Sequence, residues 1–352
     1  MKTAHFLFIL ANCACNIVVY SQIPTGYYNS AENQSEQSLK SALHNIINDH
    51  IEYDYTSSSE TDTWDILKEA DAQPNNPNNV LLIYTRESVN GSQEYASGTG
   101  WNREHVWAKS RGDFGTAIGA GTDVHNLRAS NINVNSTRLN YSFDDCTSSS
   151  CKNTFGNYYS SSALIFEPRD EDKGDVARII FYMDVRYEGG DDELDLEMIE
   201  DVLSTSSKQP RHGVRSTLLE WHAQDPVDDF ERNRNNVIYS YQRNRNPFID
   251  HPELVDYLWG DKQNDQWSST LSIPSNKQAF INIPNPIVTD FLNLKGDLNF
   301  SKAELFNMQG KSIRQLSGNV DSIEMPNSAG LYFLQLHSGN LVITKKLIIS
   351  SF

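Results

Sequence analysis

The character of this chain changes after Trp259, and that change constrains the fold more than any other feature. Upstream, segments with helical apolar spacing alternate with long polar stretches. Gly260 to Lys277 is polar and linker-like, and from Ala279 the pattern becomes short alternating strands with tight turns. One uniform core does not fit both patterns. We therefore expect an α+β body over residues 22–259, a linker over 260–278 and a small all-β sandwich tail over 279–352. In the tail, Ala303 to Asn307 and Gly330 to Leu336 alternate as strands do, with turns at Gln309-Gly310 and Ser338-Gly339. In the body, Leu39, Leu43, Ile46, Ile47 and Ile51 predict a helix over 37–51, and Thr63 opens a shorter one. Pro74 to Asn79 reads as a loop and Val80 to Tyr84 as a strand. Val176, Ile179, Ile180 and Met183 predict a strongly apolar helix over 175–187. Further helices are expected over 216–223 and 228–243, and residues 86–162 read as a long irregular stretch.

The chain has 352 residues, of which 38% are hydrophobic and 21% charged, enough apolar material for a packed core. Its net charge of -17 argues against a polybasic binder, although an acidic body can still carry a basic cleft. No run approaches the roughly 20 apolar residues that span a bilayer. At the N-terminus, Lys2, the apolar Phe6 to Ala11 and Ile17 to Tyr20, and the small Ser21 predict a signal peptide over 1–21. The alternatives are a lipid anchor at Cys13, beside which Asn12 fits poorly, and a buried N-terminal helix. Two of the four cysteines, Cys13 and Cys15, lie in that segment. Cys146 and Cys151 remain, and outside the cytoplasm they predict a small loop-closing disulfide. Residues 188–201 hold eight acids and no base. They read as a solvated loop and helix face, since their spacing matches no EF-hand.

Three polar clusters stand out. They are Trp101-Asn102-Arg103-Glu104-His105-Val106-Trp107, then Asp123-Val124-His125-Asn126-Leu127-Arg128 with Asn135, Arg138 and Asn140, and last Arg243 to Pro252. Glu104 offers a hard oxygen ligand suited to magnesium, and His105 a group able to take a proton from water. Asn135 supplies an amide oxygen. A Glu-His dipeptide alone is not specific, and an ordinary hydrogen-bonded histidine is the plainer reading. From Trp101 to Asn140 there are five bases against three acids, a local reversal that suggests an anionic substrate. In the third cluster, Pro247 and Pro252 restrict the backbone while Phe248 and Ile249 can pack. Structural buttressing and substrate contact both remain open there.

The three clusters in this order, over roughly residues 30 to 260, resemble the bacterial endonuclease I family. The resemblance implies a ββα-metal (His-Me finger) active site with mostly helical surroundings in a secreted nuclease that cuts DNA, and often RNA, with little sequence preference. It implies that His105 is the general base, and that Glu104 and Asn135 hold a divalent metal: magnesium, with manganese or calcium as alternatives. It also implies an arginine near the phosphate. Arg111 is the candidate, then Arg128 or Arg138, with Asn140 beside them on the substrate. Ala108 and Ala129 stand where many relatives have proline, which implies looser backbone next to the site. Ile283-Pro284-Asn285-Pro286, Leu305 to Lys311, Ala329 to Phe333 and Lys345 to Ile349 resemble the C-terminal sorting domain of type IX secretion substrates. The expected partners are a nucleic-acid substrate and that secretion machinery, and the expected state is a monomer. The competing functions are a non-catalytic surface adhesin on a nuclease-like scaffold and a metal-dependent phosphatase. For the phosphatase, the usual set of several Asp and His ligands cannot be assembled.

Overall fold

The computed structural model describes residues 23–95, 98, 100–190, 193–269, 289–294, 300–308, 310–338 and 341–349. The expected signal peptide, Cys13, most of the expected linker and the Ile283 to Pro286 motif lie outside them. Contacts divide the chain into two compact units, Met1–Thr270 and Leu271–Phe352.

The helices described in the first unit are α1 (Glu36–Ile47), α2 (Thr63–Ala70), α3 (Ile132–Arg138), α4 (Asp170–Arg186), α5 (Arg215–Gln224), α6 (Asp229–Gln242), α7 (Pro247–Asp250) and α8 (Leu254–Leu258). Its strands are β1 (Ala72–Gln73), β2 (Asn76–Leu81), β3 (Ser88–Asn90), β4 (Trp101–His105), β5 (Leu127–Asn131), β6 (Ser142–Phe143), β7 (Lys152–Thr154), β8 (Asn157–Ser160), β9 (Ile165–Glu167), β10 (Glu197–Ile199) and β11 (Arg211–Val214). The predicted helices are present with ends shifted by a few residues, as caps dictate. Asp62 and Asp228 each accept backbone N–H groups and form capping boxes that open α2 and α6.

The stretch expected to be irregular is where the structure adds most. Residues 86–162 hold β3 to β8 and α3. β4 and β5 pair antiparallel, from Trp101 opposite Asn131 to His105 opposite Leu127, and α3 follows β5 at once. Asn131 caps α3, its side chain accepting from the N–H groups of Asn133 and Val134. These strands are short and mostly buried, so they show little of the alternation that marks a half-exposed strand.

Helix α4 runs through the core. Every residue from Asp172 to Arg186 is buried, including five charged side chains besides Lys173. Each such charge needs a partner, because an unpaired buried ion is costly. Asp172 pairs with Arg86, Asp175 with Arg128, Arg178 with Glu231, Asp184 with Lys40 and Arg186 with Glu193. Asp71, just past α2, joins the network by accepting from Arg128, Arg234 and the N–H of Ala129. Ala129 is therefore held firmly within β5, contrary to the looser backbone expected there, and a proline would lose that N–H.

Two further expectations change. The acidic segment over 188–201 is not a free helix face. It includes β10, which pairs parallel with β11, and Glu188, Glu193, Glu197 and Glu200 pair with Lys40, Arg186, Arg211 and Arg215. The first part of the expected linker belongs to the body. Trp267 is fully buried, its N–H donates to the carbonyl of Gln34, and its carbonyl accepts from Asn33. The boundary at Trp259 is thus too early by about ten residues, because polar composition hid one buried tryptophan. The Cys146–Cys151 disulfide is formed.

The second unit contains β12 (Phe291–Asn293), β13 (Lys302–Asn307), β14 (Ser312–Ser317), β15 (Ser322–Glu324), β16 (Gly330–Ser338) and β17 (Leu341–Ile349). β14, β13, β16 and β17 form one antiparallel sheet in that order, and β12 pairs with β15 in a second. Leu292 and Ile323 from the small sheet share a core with Leu305, Leu334 and Leu347 from the large one. This is the expected all-β tail.

Candidate active site

A cavity of about 1100 Å³ opens over the β4–β5–α3 unit. Glu104, His105, Lys109, Asn135, Arg138 and Asn140 line it. Strand and helix cooperate here. β4 presents Glu104 and His105 at its end, and α3 runs alongside, from Asn131 opposite Trp101 to Arg138, which donates to the carbonyl of Val106.

Glu104 is buried. Its Oε1 accepts from the Tyr84 hydroxyl at 3.0 Å and pairs with Arg138 Nε at 3.2 Å. Burial pushes its carboxyl up to about 7, against the pull of Arg138 and the Tyr84 hydroxyl. Among the described residues, no hydrogen bond reaches Oε2. The Asn135 amide donates to Asn102 Oδ1 at 3.2 Å and to the Arg103 carbonyl at 3.4 Å, which leaves its Oδ1 available as a ligand. One carboxylate and one amide oxygen fit a hard cation that keeps most of its waters. The described residues contain no cluster of three or more His, Cys, Asp or Glu that could hold a metal.

His105 Nε2 lies 3.0 Å from the carbonyl of Gly121. That contact makes Nε2 the protonated nitrogen and leaves the Nδ1 lone pair free. Burial holds the imidazole neutral, with its pKa lowered to about 3. The Tyr55 ring stacks on it, centroids 5.7 Å apart at 14°. Tyr55 is itself fixed by Arg103, whose guanidinium lies 3.3 Å from the Tyr55 centroid and 4.0 Å from that of Trp64. Arg103 donates to Thr63 Oγ1, Thr56 Oγ1 and the Tyr55 carbonyl. No carboxylate among the described residues lies within ion-pair distance of it, although it is buried beside the cavity.

Of the other anticipated residues, Arg138 and Asn140 are at the cavity, and Asn140 is anchored to Ser110 Oγ and the Thr205 carbonyl. Arg111 and Arg128 are not. The Arg111 guanidinium donates to the carbonyls of Asn140, Leu203, Ser204 and Ser207, and so it pins loops behind the site. Arg128 is committed to Asp71 and Asp175. Both are buried structural cations, because their partners come from distant elements that no local motif reveals. The third cluster is buttress. Asn246 caps α7, Arg245 pairs with Asp250, and Phe248 is fully buried. Lys109, exposed at the rim, and Tyr84 and Tyr55 beside Glu104 and His105 were not singled out from sequence, and Arg103 was named only as a member of the first cluster. The local excess of bases was the only signal, and it pointed to Lys109 without separating it from Arg111.

The family described as Endonuclease I matches residues 35–253, and a secretion system C-terminal sorting domain matches 283–350. The chain is 50% identical over 251 residues to an extracellular ribonuclease of Bacillus subtilis, covering 71% of this chain and 83% of that protein. It is 52% identical over 234 residues to an extracellular ribonuclease of Bacillus amyloliquefaciens, covering 66% and 78%. A more distant relative is the endonuclease-1 of Buchnera aphidicola subsp. Baizongia pistaciae, 27% identical over 131 residues, which cover 36% and 46%. By these matches the chain belongs to the endonuclease I family and is a secreted protein carrying a C-terminal sorting domain.

Proposed function

We propose that this protein is a divalent-metal-dependent endonuclease that hydrolyses phosphodiester bonds of DNA and RNA without reading base sequence, through a ββα-metal (His-Me finger) site. The observation that carries the reading is the convergence of Glu104, His105, Asn135 and Arg138 on one cavity, with His105 Nδ1 free and Nε2 tied to Gly121. His105 takes a proton from the attacking water at Nδ1. The approaching phosphate favours the imidazolium that forms, which offsets the cost of its burial. Glu104 and Asn135 would hold the cation, and Arg138 and Tyr84 fix the Glu104 carboxylate. A bound divalent cation supplies charge stabilisation for the phosphorane and the leaving oxygen. Lys109 and Arg138 contribute positive charge for the phosphate, the task first expected of Arg111. The family match and the names of the relatives support nuclease chemistry, and the sorting domain supports passage out of the cell through the type IX machinery.

The test is cleavage of supercoiled plasmid and of RNA by the secreted chain, with magnesium or with EDTA. His105→Ala should reduce turnover by about 10²–10⁴-fold, the usual contribution of a general base, without lowering the melting temperature. Asn135→Ala should raise the magnesium concentration needed for half-maximal rate. Full activity in EDTA, or near-parental turnover of His105→Ala, overturns the mechanism.

A further inference from the structure

Two bulky side chains stand in water beside the catalytic dyad on backbone that disfavours them. Tyr95 has φ 50° and is 59% exposed, and Leu139 has φ 54° and is 54% exposed. Both line the cavity. Left-handed backbone is the usual place for Gly or Asn, at turns and helix ends. Leu139 lies just past α3 at φ 54° and ψ -124°, a positive-φ conformation that suits Gly, with its N–H donating to the Asn135 carbonyl. Tyr95 lies at positive φ in the turn before β4, closed by Gly98 and Gly100 N–H groups on its carbonyl. Strained backbone clusters at functional sites. Phe155, also exposed at positive φ, sits at the β7–β8 turn and lines no part of the cavity.

The positions of the two are informative. The Tyr95 N–H bonds the carbonyl of Trp101, at the start of β4. Leu139 follows Arg138, which reaches Val106, just past the end of β4. Glu104 and His105 therefore lie between them along the strand. Of the other Tyr and Trp rings of the wall, Tyr55 is committed to Arg103 and His105, Trp64 to Arg103 and Trp101, and Tyr141 is buried. Tyr95 is the exposed ring of that wall, and among the described residues it meets no other ring.

We infer that Tyr95 and Leu139 form nucleoside subsites on either side of the phosphate that is cut. Tyr95 stacks one base, and Leu139 wedges against the next and keeps the two unstacked. Aromatic stacking tolerates any base, and apolar wedges open base steps, so the pair selects for unpaired strands without selecting sequence. The favoured substrate is a single-stranded nucleic acid, RNA or DNA. This rests on the nuclease reading above.

The test compares kcat/KM on labelled single-stranded RNA, single-stranded DNA and a DNA duplex of the same sequence, together with thermal unfolding. The full chain should prefer the single strands. Tyr95→Gly and Leu139→Gly should be as stable as the parent or more so, since Gly relieves the backbone. Each should lose about 5- to 150-fold on single strands, the range one stacked base supplies, and less on duplex. Tyr95→Phe and Leu139→Met should retain the parental preference. Where a Gly variant does not fold, Ala, which removes the contacting side chain and leaves the parental backbone as it is, replaces it. A parent that prefers duplex, Gly variants that cut single strands at the parental rate, or equal losses on both substrates overturn the inference. A parent that cuts neither substrate overturns the nuclease reading and the inference with it.

Discussion

In the endonuclease I body, Asp71, Arg128, Asp175 and Arg178 are as buried as the leucines around them. In the tail, every buried side chain among the described residues is Leu, Ile, Val, Ala, Met, Phe or Tyr. The tail closes its two sheets on apolar area, which is non-directional and tolerant of detail. The body uses paired charge to fix directions. Asp71 ties the N–H of Ala129 and the guanidinium groups of Arg128 and Arg234 to the end of α2, and this orients β5. β5 in turn orients β4 and the dyad on it. Such networks are weak sources of net stability, but breaking one strands an ion in the core. The body thus spends stability on geometry where chemistry needs it.

The largest break in that comparison is Asp71→Ala. It leaves Arg128 short of a partner and Arg234 without its carboxylate, along with an orphaned N–H in β5. The loss expected on removing one partner of a buried pair is about 3–5 kcal/mol. Denaturant unfolding followed by body tryptophans should show it, and nuclease activity should fall as well, while the tail transition stays in place. A body midpoint within experimental error of the parent would show that the network is ornament.

The converse change is Leu305→Ala in the central strand β13 of the tail. Leu305 is fully buried, and truncations of this kind cost about 2–5 kcal/mol. The tail should unfold at lower denaturant, with turnover by the body unchanged. A parallel fall in turnover would mean that the two units do not fold independently, and the contrast between them would lose its meaning.

The same contrast decides what sequence could reveal. Tail strands were readable because the buried Leu305, Leu334 and Leu336 alternate with less buried neighbours, and α1 because Leu39, Leu43 and Ile47 recur at helical spacing. Glu104, His105 and Asn135 were legible as candidate site residues because they lie in short motifs, and all three line one cavity. β4 and β5 were not, since both faces are buried and their residues are largely polar. Nor were the roles of Arg111 and Arg128. The partners of Arg128 lie 57 and 47 residues away in the chain, and those of Arg111 are carbonyls, which carry no sequence signature. Trp267 was lost to its polar neighbourhood.

The smallest effect concerns protons. His222 of α5 is wedged against α4: its Nε2 donates to the Pro252 carbonyl and its Nδ1 faces Arg178 at 3.3 Å. Burial first, and then Arg178, lower its pKa to about 4, from an ordinary 6.5. Above pH 6.5 both folded and unfolded chains hold it neutral, and it has no effect on the pH dependence. Below 6.5 the unfolded chain takes a proton that the folded chain refuses, so stability falls until about pH 4, where the folded state also accepts it. Between pH 7.5 and 5 this one group should remove about 2 kcal/mol. Glu104, Glu231 and Asp172, with carboxyls raised to about 7, 7 and 6, act in the opposite direction over the same range. The parent curve therefore mixes signs, and the clean measurement is the difference between the parent and His222→Gln. The variant should be less stable at pH 7.5, where it loses the Pro252 and Arg178 contacts, and the gap should narrow by about 2 kcal/mol at pH 5. A gap that stays constant with pH would show that His222 titrates normally and that the body pays no proton penalty at this position.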